Sequence, residues 1–116
     1  MELVAQDIKD ARVLRVEASR IDAAVAIQFK DRFRDLVQGV DGRIVLDLSQ
    51  VDFLDSSGLG AVVAAMKLLG GGRRLELAGL TPTVHKVFRL TRMEQVFIIH
   101  DQLEEIVDSP SRVNGG

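Results

Sequence analysis

Hydrophobic and polar positions along this chain switch between two periods. Leu3 to Ile8 and Val13 to Ala18 alternate with period two, and Lys9, Asp10 and Ala11 make a tight polar turn between them, which predicts an opening hairpin. From Asp22 onward the period lengthens. Ala23, Ala26, Ile27, Phe29, Lys30, Phe33, Leu36 and Val37 trace an amphipathic helix that stops near Gly39 and Gly42, with Asp22 as its expected cap. Ile44, Val45, Leu46 and Leu48 then form a short apolar run of strand length, and Leu59, Val62, Val63, Met66 and Leu69 return to helical spacing until Gly70, Gly71 and Gly72 end it. Arg74 to Ala78 supplies another strand. Thr81 and Pro82 restart a helix whose expected inner face is Val84, Val87, Phe88 and Leu90. Val96 to Ile99 reads as a last strand and Asp101 to Val107 as a short closing helix, before a tail over 109–116 composed for flexibility.

Strands alternating with helices of this length imply crossovers and a parallel sheet, to which the hairpin adds one antiparallel strand. The expected class is α/β: a single domain over residues 1–108 with a mixed, mostly parallel sheet of about five strands and about four helices. In such sheets functional loops gather at the carboxyl ends of the strands. The turn from Gln50 to Ser57 lies at one of those ends, and Asp22, just after the second strand, is expected near it.

Composition narrows the function classes. The 116 residues are 47% apolar and 28% charged, with a net charge of −2, ordinary for one globular domain. Arg73–Arg74 is too short to form a basic patch, so nucleic acid is not an expected partner. The absence of cysteine removes disulfides, thiol chemistry and thiolate metal sites. No stretch approaches the roughly 18 apolar residues of a membrane span, and the first ten residues lack a basic start followed by an apolar run. A soluble cytoplasmic protein is expected, without metal or cofactor, and monomeric or weakly dimeric.

The candidate chemistry sits where the central strand meets the second helix. Asp55 and Ser56 occupy the positions where helix N-caps belong, and a hydroxyl there faces backbone N–H groups without helical partners and the positive end of the helix dipole. A phosphate on Ser56 would therefore be compatible with the fold. It would also add about −1.5 to −2 charges beside Asp52, Asp55 and Asp22. Gly58, Gly60, Ala61, Ala64 and Ala65 are small enough to let another backbone come close, although packing against the sheet would select the same residues.

The segment Val51-Asp-Phe-Leu-Asp-Ser-Ser-Gly-Leu-Gly60 resembles the signature of STAS domains, and especially of the bacterial anti-sigma factor antagonists. The order of elements, Leu77-Ala-Gly-Leu-Thr-Pro82 and Val87-Phe-Arg-Leu90 extend the resemblance to roughly residues 3–107. It implies a partner switch controlled by phosphorylation. The unphosphorylated protein captures an anti-sigma factor that is also its serine kinase, and a serine phosphatase resets it. By position, the resemblance makes Ser56 the phosphoacceptor, with Ser57 its adjacent alternative and Asp22, Asp55 and Gly58 as surroundings. The partner surface would comprise Arg20, Asp22, Phe53, Leu54, Asp55, Ser56, Ser57, Gly58, Leu59 and Gly60. One departure concerns partner choice: the family often carries Gly-Glu-Leu-Asp after the second strand, and this chain has Ser19-Arg-Ile-Asp22.

Enzyme readings fit less well, and no catalysis is expected. Around Ser56 the first glycine of Gly-x-Ser-x-Gly is replaced by Leu54, and His85 and His100 are the only imidazoles available. Gly70 to Gly72 lacks the Gly-Lys-Ser/Thr ending of a phosphate loop. A receiver domain phosphorylated on Asp47 or Asp55 would need an acidic pair after the first strand and a late-strand lysine, yet no lysine follows Lys86. The alternative from a different class is a STAS adaptor, unphosphorylated, in a transporter or sensory complex.

Overall fold

In the computed structural model, residues 1–103 are described. β1 (Glu2–Ile8) and β2 (Ala11–Glu17) form the predicted hairpin, and β4 (Arg43–Asp47), β6 (Glu76–Ala78) and β7 (Ile98–His100) extend it in the order β1-β2-β4-β6-β7. β1 is antiparallel to β2 and every later pairing is parallel. The expected five-stranded, mostly parallel α/β sheet is present.

Three α-helices are described, α1 (Ala26–Val37), α2 (Ser56–Leu69) and α3 (Pro82–Leu90), with a 3₁₀ turn at Met93–Gln95. About four helices were expected, and most of the one predicted over Asp101–Val107, like the tail over 109–116, lies outside the described residues. No helix among the described residues is long and apolar enough to cross a membrane.

The pleat sorts the strands onto two faces. Leu3, Leu14, Val16, Ile44, Leu46 and Leu77 point to the face on which all three helices pack, where they meet Phe29 and Phe33 of α1, Ala61, Val62 and Ala65 of α2, and Val84 and Phe88 of α3. Phe88 stacks edge-on against Phe97, their ring centroids 5.5 Å apart. Burying these apolar side chains is the main stabilising contribution, about 1.5–3 kcal/mol for each large one. The opposite face carries a smaller cluster of Ala11, Val13, Val45 and Ala78, partly covered by Ile8 and Leu103.

Two local expectations, for Asp22 and Leu90, are corrected, and a third, for Thr81, is sharpened. Asp22 does not cap α1: its carboxylate accepts the N–H of Ala24 at 3.1 Å and its carbonyl that of Val25, closing a turn of its own, so the helix starts four residues later with Val25 at the cap position. Leu90 is not on the inner face of α3. It is 71% exposed, because Val84 and Phe88, one turn apart, already fill the space under the helix. Thr81 does occupy the cap position of α3, but its hydroxyl donates to the carbonyl of Val51 at 2.8 Å and ties the helix to the loop before residue 53.

Two short strands, β3 (Arg20–Ile21) and β5 (Phe53–Leu54), form a separate parallel pair with Arg20 opposite Phe53 and Ile21 opposite Leu54. Two residues are too few for a period to show in sequence. This pair positions the candidate site.

Candidate functional site

The site is built on the ends of β3 and β5. The N–H groups of Asp52 and Phe53 both donate to the carbonyl of Ser19, at 2.7 and 3.2 Å, and the Val51 N–H donates to the Leu48 carbonyl, so the loop leaving β4 is pinned before β5 begins. β5 then alternates: Phe53 points out and is 40% exposed, while Leu54 points in and is 3% exposed. Leu54 therefore packs in the core rather than on the partner surface expected for it.

After Leu54 the chain turns into α2. Asp55 takes extended backbone angles and its Oδ1 accepts the N–H of Gly58 at 2.8 Å, a side-chain N-cap; the N–H of Leu59 donates to the Asp55 carbonyl as the first helical bond. Ser56 is thus the first helical residue, not the cap. Ser56, Ser57 and Gly60 are exposed, Asp55 and Leu59 are half-buried, and Gly58 is buried.

Gly58 is required by a close approach. A Cβ at this position would stand 1.9 Å from the carbonyl oxygen of Ile21, so the start of α2 lies directly on β3. Read from sequence as a small surface residue, Gly58 is a backbone-to-backbone contact. The same contact brings the segment after Ile21 alongside the segment after Leu54. Continuing the register by one residue sets Asp22 opposite Asp55, immediately before Ser56.

Arg20 sits over this arrangement. Its guanidinium carbon lies 4.6 Å from the centroid of the Phe53 ring, and its Nε donates to Asp22 Oδ2 at 3.2 Å. Arg20 thus pairs with Asp22 on the strand that adjoins the start of α2, where Asp55 caps the helix and its positive end underlies Ser56.

The other candidates lie elsewhere. Asp47 Oδ1 accepts the N–H of Ser49 at 2.9 Å and closes the turn after β4. His100 is hydrogen-bonded through Nε2 to Glu76 Oε1 at 2.8 Å on the opposite sheet face. Glu76 also receives Arg43 Nε at 2.9 Å and Arg43 Nη2 at 2.7 Å. Burial pushes the Glu76 carboxyl up, but the hydrogen bonds and charges of Arg43 and His100 outweigh burial and hold it below the ordinary range. Sequence reasoning did not find this cluster. Its members are 33 and 24 residues apart, and only the sheet register joins them.

Comparison with known proteins identifies the family and the fold. Residues 2–106 match the family model described as the STAS domain. A STAS-domain containing protein of Pseudomonas aeruginosa is 30% identical over 101 residues, covering 85% of this chain and 99% of the relative. The anti-sigma F factor antagonist of Paenibacillus polymyxa is 32% identical over 59 residues, half of each chain. The anti-sigma factor antagonist SpoIIAA in its unphosphorylated form superposes with a TM-score of 0.66 at 24% identity, covering 99% of this chain and 100% of the other. The Bacillus SpoIIAA in its phosphorylated form gives the same 0.66 at 23% identity, with 93% and 98% covered.

Proposed function

This chain belongs to the STAS domain family, and from that premise we propose that it is an anti-sigma factor antagonist working as a phosphorylation-controlled partner switch. Unphosphorylated, it captures an anti-sigma factor that is also a serine kinase; phosphorylation of Ser56 releases that partner, and a phosphatase restores capture. The observation that carries the proposal is the exposed Ser56 at the first position of a helix capped by Asp55, one register step from Asp22.

The physical sequence is short. A docked partner covers the start of α2 and excludes water from it. About −1.5 to −2 added charges then stand in an interface already rich in carboxylates, where helix dipole and free N–H groups offset only part. Desolvating an unpaired charge costs several kcal/mol, and about 1.4 kcal/mol is already tenfold in affinity. In this reading the chain catalyses nothing itself, and the partner supplies the phosphoryl chemistry.

Intact-mass spectrometry with fragmentation, on protein from its native cells, tests the switch. One phosphate located on Ser56 is expected, together with capture that persists in Ser56→Ala and weakens in Ser56→Asp. Protein that is unmodified under both growth and stress would overturn the switch and leave a constitutive adaptor.

A further inference from the structure

We propose that Arg20 is the internal counter-ion of a phosphate on Ser56: on phosphorylation its guanidinium leaves Asp22 and the Phe53 ring and clamps the phosphate. The inference rests on the switch reading for the presence of phosphate, and on geometry for everything else. Arg20 stands on the strand that α2 touches, since Gly58 lies on the carbonyl of Ile21. Its guanidinium is already directed toward the end of that strand, where Asp22 is one residue beyond the last register pair and Ser56 follows the position opposite.

What holds Arg20 at present is weak by type. Its side chain is 60% exposed, its ion pair with Asp22 is single at 3.2 Å, and its contact with Phe53 is face-on over a half-exposed ring. Exposed pairs of this kind contribute little, because solvent screens them and two side chains must be held still. A phosphate presents more charge and three acceptor oxygens to a planar fork of donors, which favours a bidentate pair. Within residues 19–22 and 52–57 Arg20 is the one cation, and the other charged side chains are Asp22, Asp52 and Asp55. Moving the guanidinium also uncovers the Phe53 ring. The modification then changes the shape of the surface as well as its charge.

The test uses the full chain with phosphoserine incorporated at position 56 during translation, so that no kinase is needed. The probe is the ³¹P titration of that phosphate. Free phosphoserine loses its second proton near pH 6; the chain with Arg20 should show a midpoint lower than its Arg20→Gln variant by on the order of half a unit, about threefold in proton affinity, since an opposite charge favours the ionised form. Arg20→Lys, which keeps charge but loses the fork, should fall between them. Aromatic resonances of Phe53 should shift on phosphorylation in the parent and stay in place in Arg20→Gln. Equal midpoints in parent and Arg20→Gln overturn the clamp, whatever partner capture shows. A lowered midpoint in the parent sustains the clamp even where phosphorylation leaves capture intact, a result that would overturn only the switch.

Discussion

At the edge where β3 and β5 end, Arg20 makes one hydrogen bond to Asp22 while Asp55 caps α2; across the sheet, Glu76 meets Arg43 through two hydrogen bonds and His100 through a third, and Arg43 also reaches Asp10. Glu76 is 6% exposed, and its charge is matched because an unmatched charge there would be intolerable. Asp22 and Asp55 stand in partial contact with water and spend their hydrogen-bonding capacity on backbone turns, receiving the N–H groups of Ala24 and Gly58. One region uses charge to hold strands together. The other fixes its backbone by hydrogen bonds and leaves its net charge open to change.

Substitutions can break this contrast, beginning with the contact that underlies the open region. Gly58→Ala places a methyl against a backbone oxygen that cannot rotate away, and should cost about 4 kcal/mol, beyond ordinary overpacking, seen as a large loss in thermal or denaturant midpoint. Glu76→Ala comes next. It leaves His100 without this partner and Arg43 with only its longer bond to Asp10, and should cost about 3 kcal/mol at neutral pH, the low end for a broken buried pair because Arg43 is partly solvated and keeps that second carboxylate.

The same cluster predicts a pH dependence. The folded Glu76 carboxyl binds its proton more weakly than the unfolded chain does, so its stabilisation is complete above the ordinary value of 4.5 and is lost as pH falls below it. Denaturation measured between neutral pH and pH 3 should show that loss in the parent and a flatter curve in Glu76→Ala.

Effects at the open edge should be smaller. Asp55→Ala removes the cap of α2 and should cost about 1 kcal/mol, whereas Asp55→Asn, which keeps an acceptor for the Gly58 N–H, should cost only a few tenths by the same measurement. Ser56→Ala should shift stability by less than about 0.5 kcal/mol, as expected of an exposed side chain. A large loss in Ser56→Ala would mean that this hydroxyl is structural, and the contrast would fail.

The elements that contain a full period were legible from the sequence. β4 and α2, and the turn between them with Asp55 and Ser56 at the helix start, follow from apolar spacing and cap chemistry alone. β3 and β5 were not legible, being two residues each and defined by pairing with one another across 31 intervening residues. Their absence hid why Leu54 is buried beside an exposed Phe53 and why position 58 must be glycine. Asp22 misled in an informative way: its side chain makes the hydrogen bond expected of a cap, but to a turn that precedes the helix. Arg20 was visible as a change of charge at its position; its place over Phe53 and beside Asp22 needed the paired strands.

The seat of α2 on the Ile21 carbonyl makes the proposed switch a unit of two segments that are distant in sequence and inseparable in space. Grafting residues 51–60 alone into another scaffold would transfer Ser56 and its cap without the floor on which the helix rests or the cation on the neighbouring strand. A transplantable switch would have to carry residues 19–22 as well, with their strand held parallel to the motif.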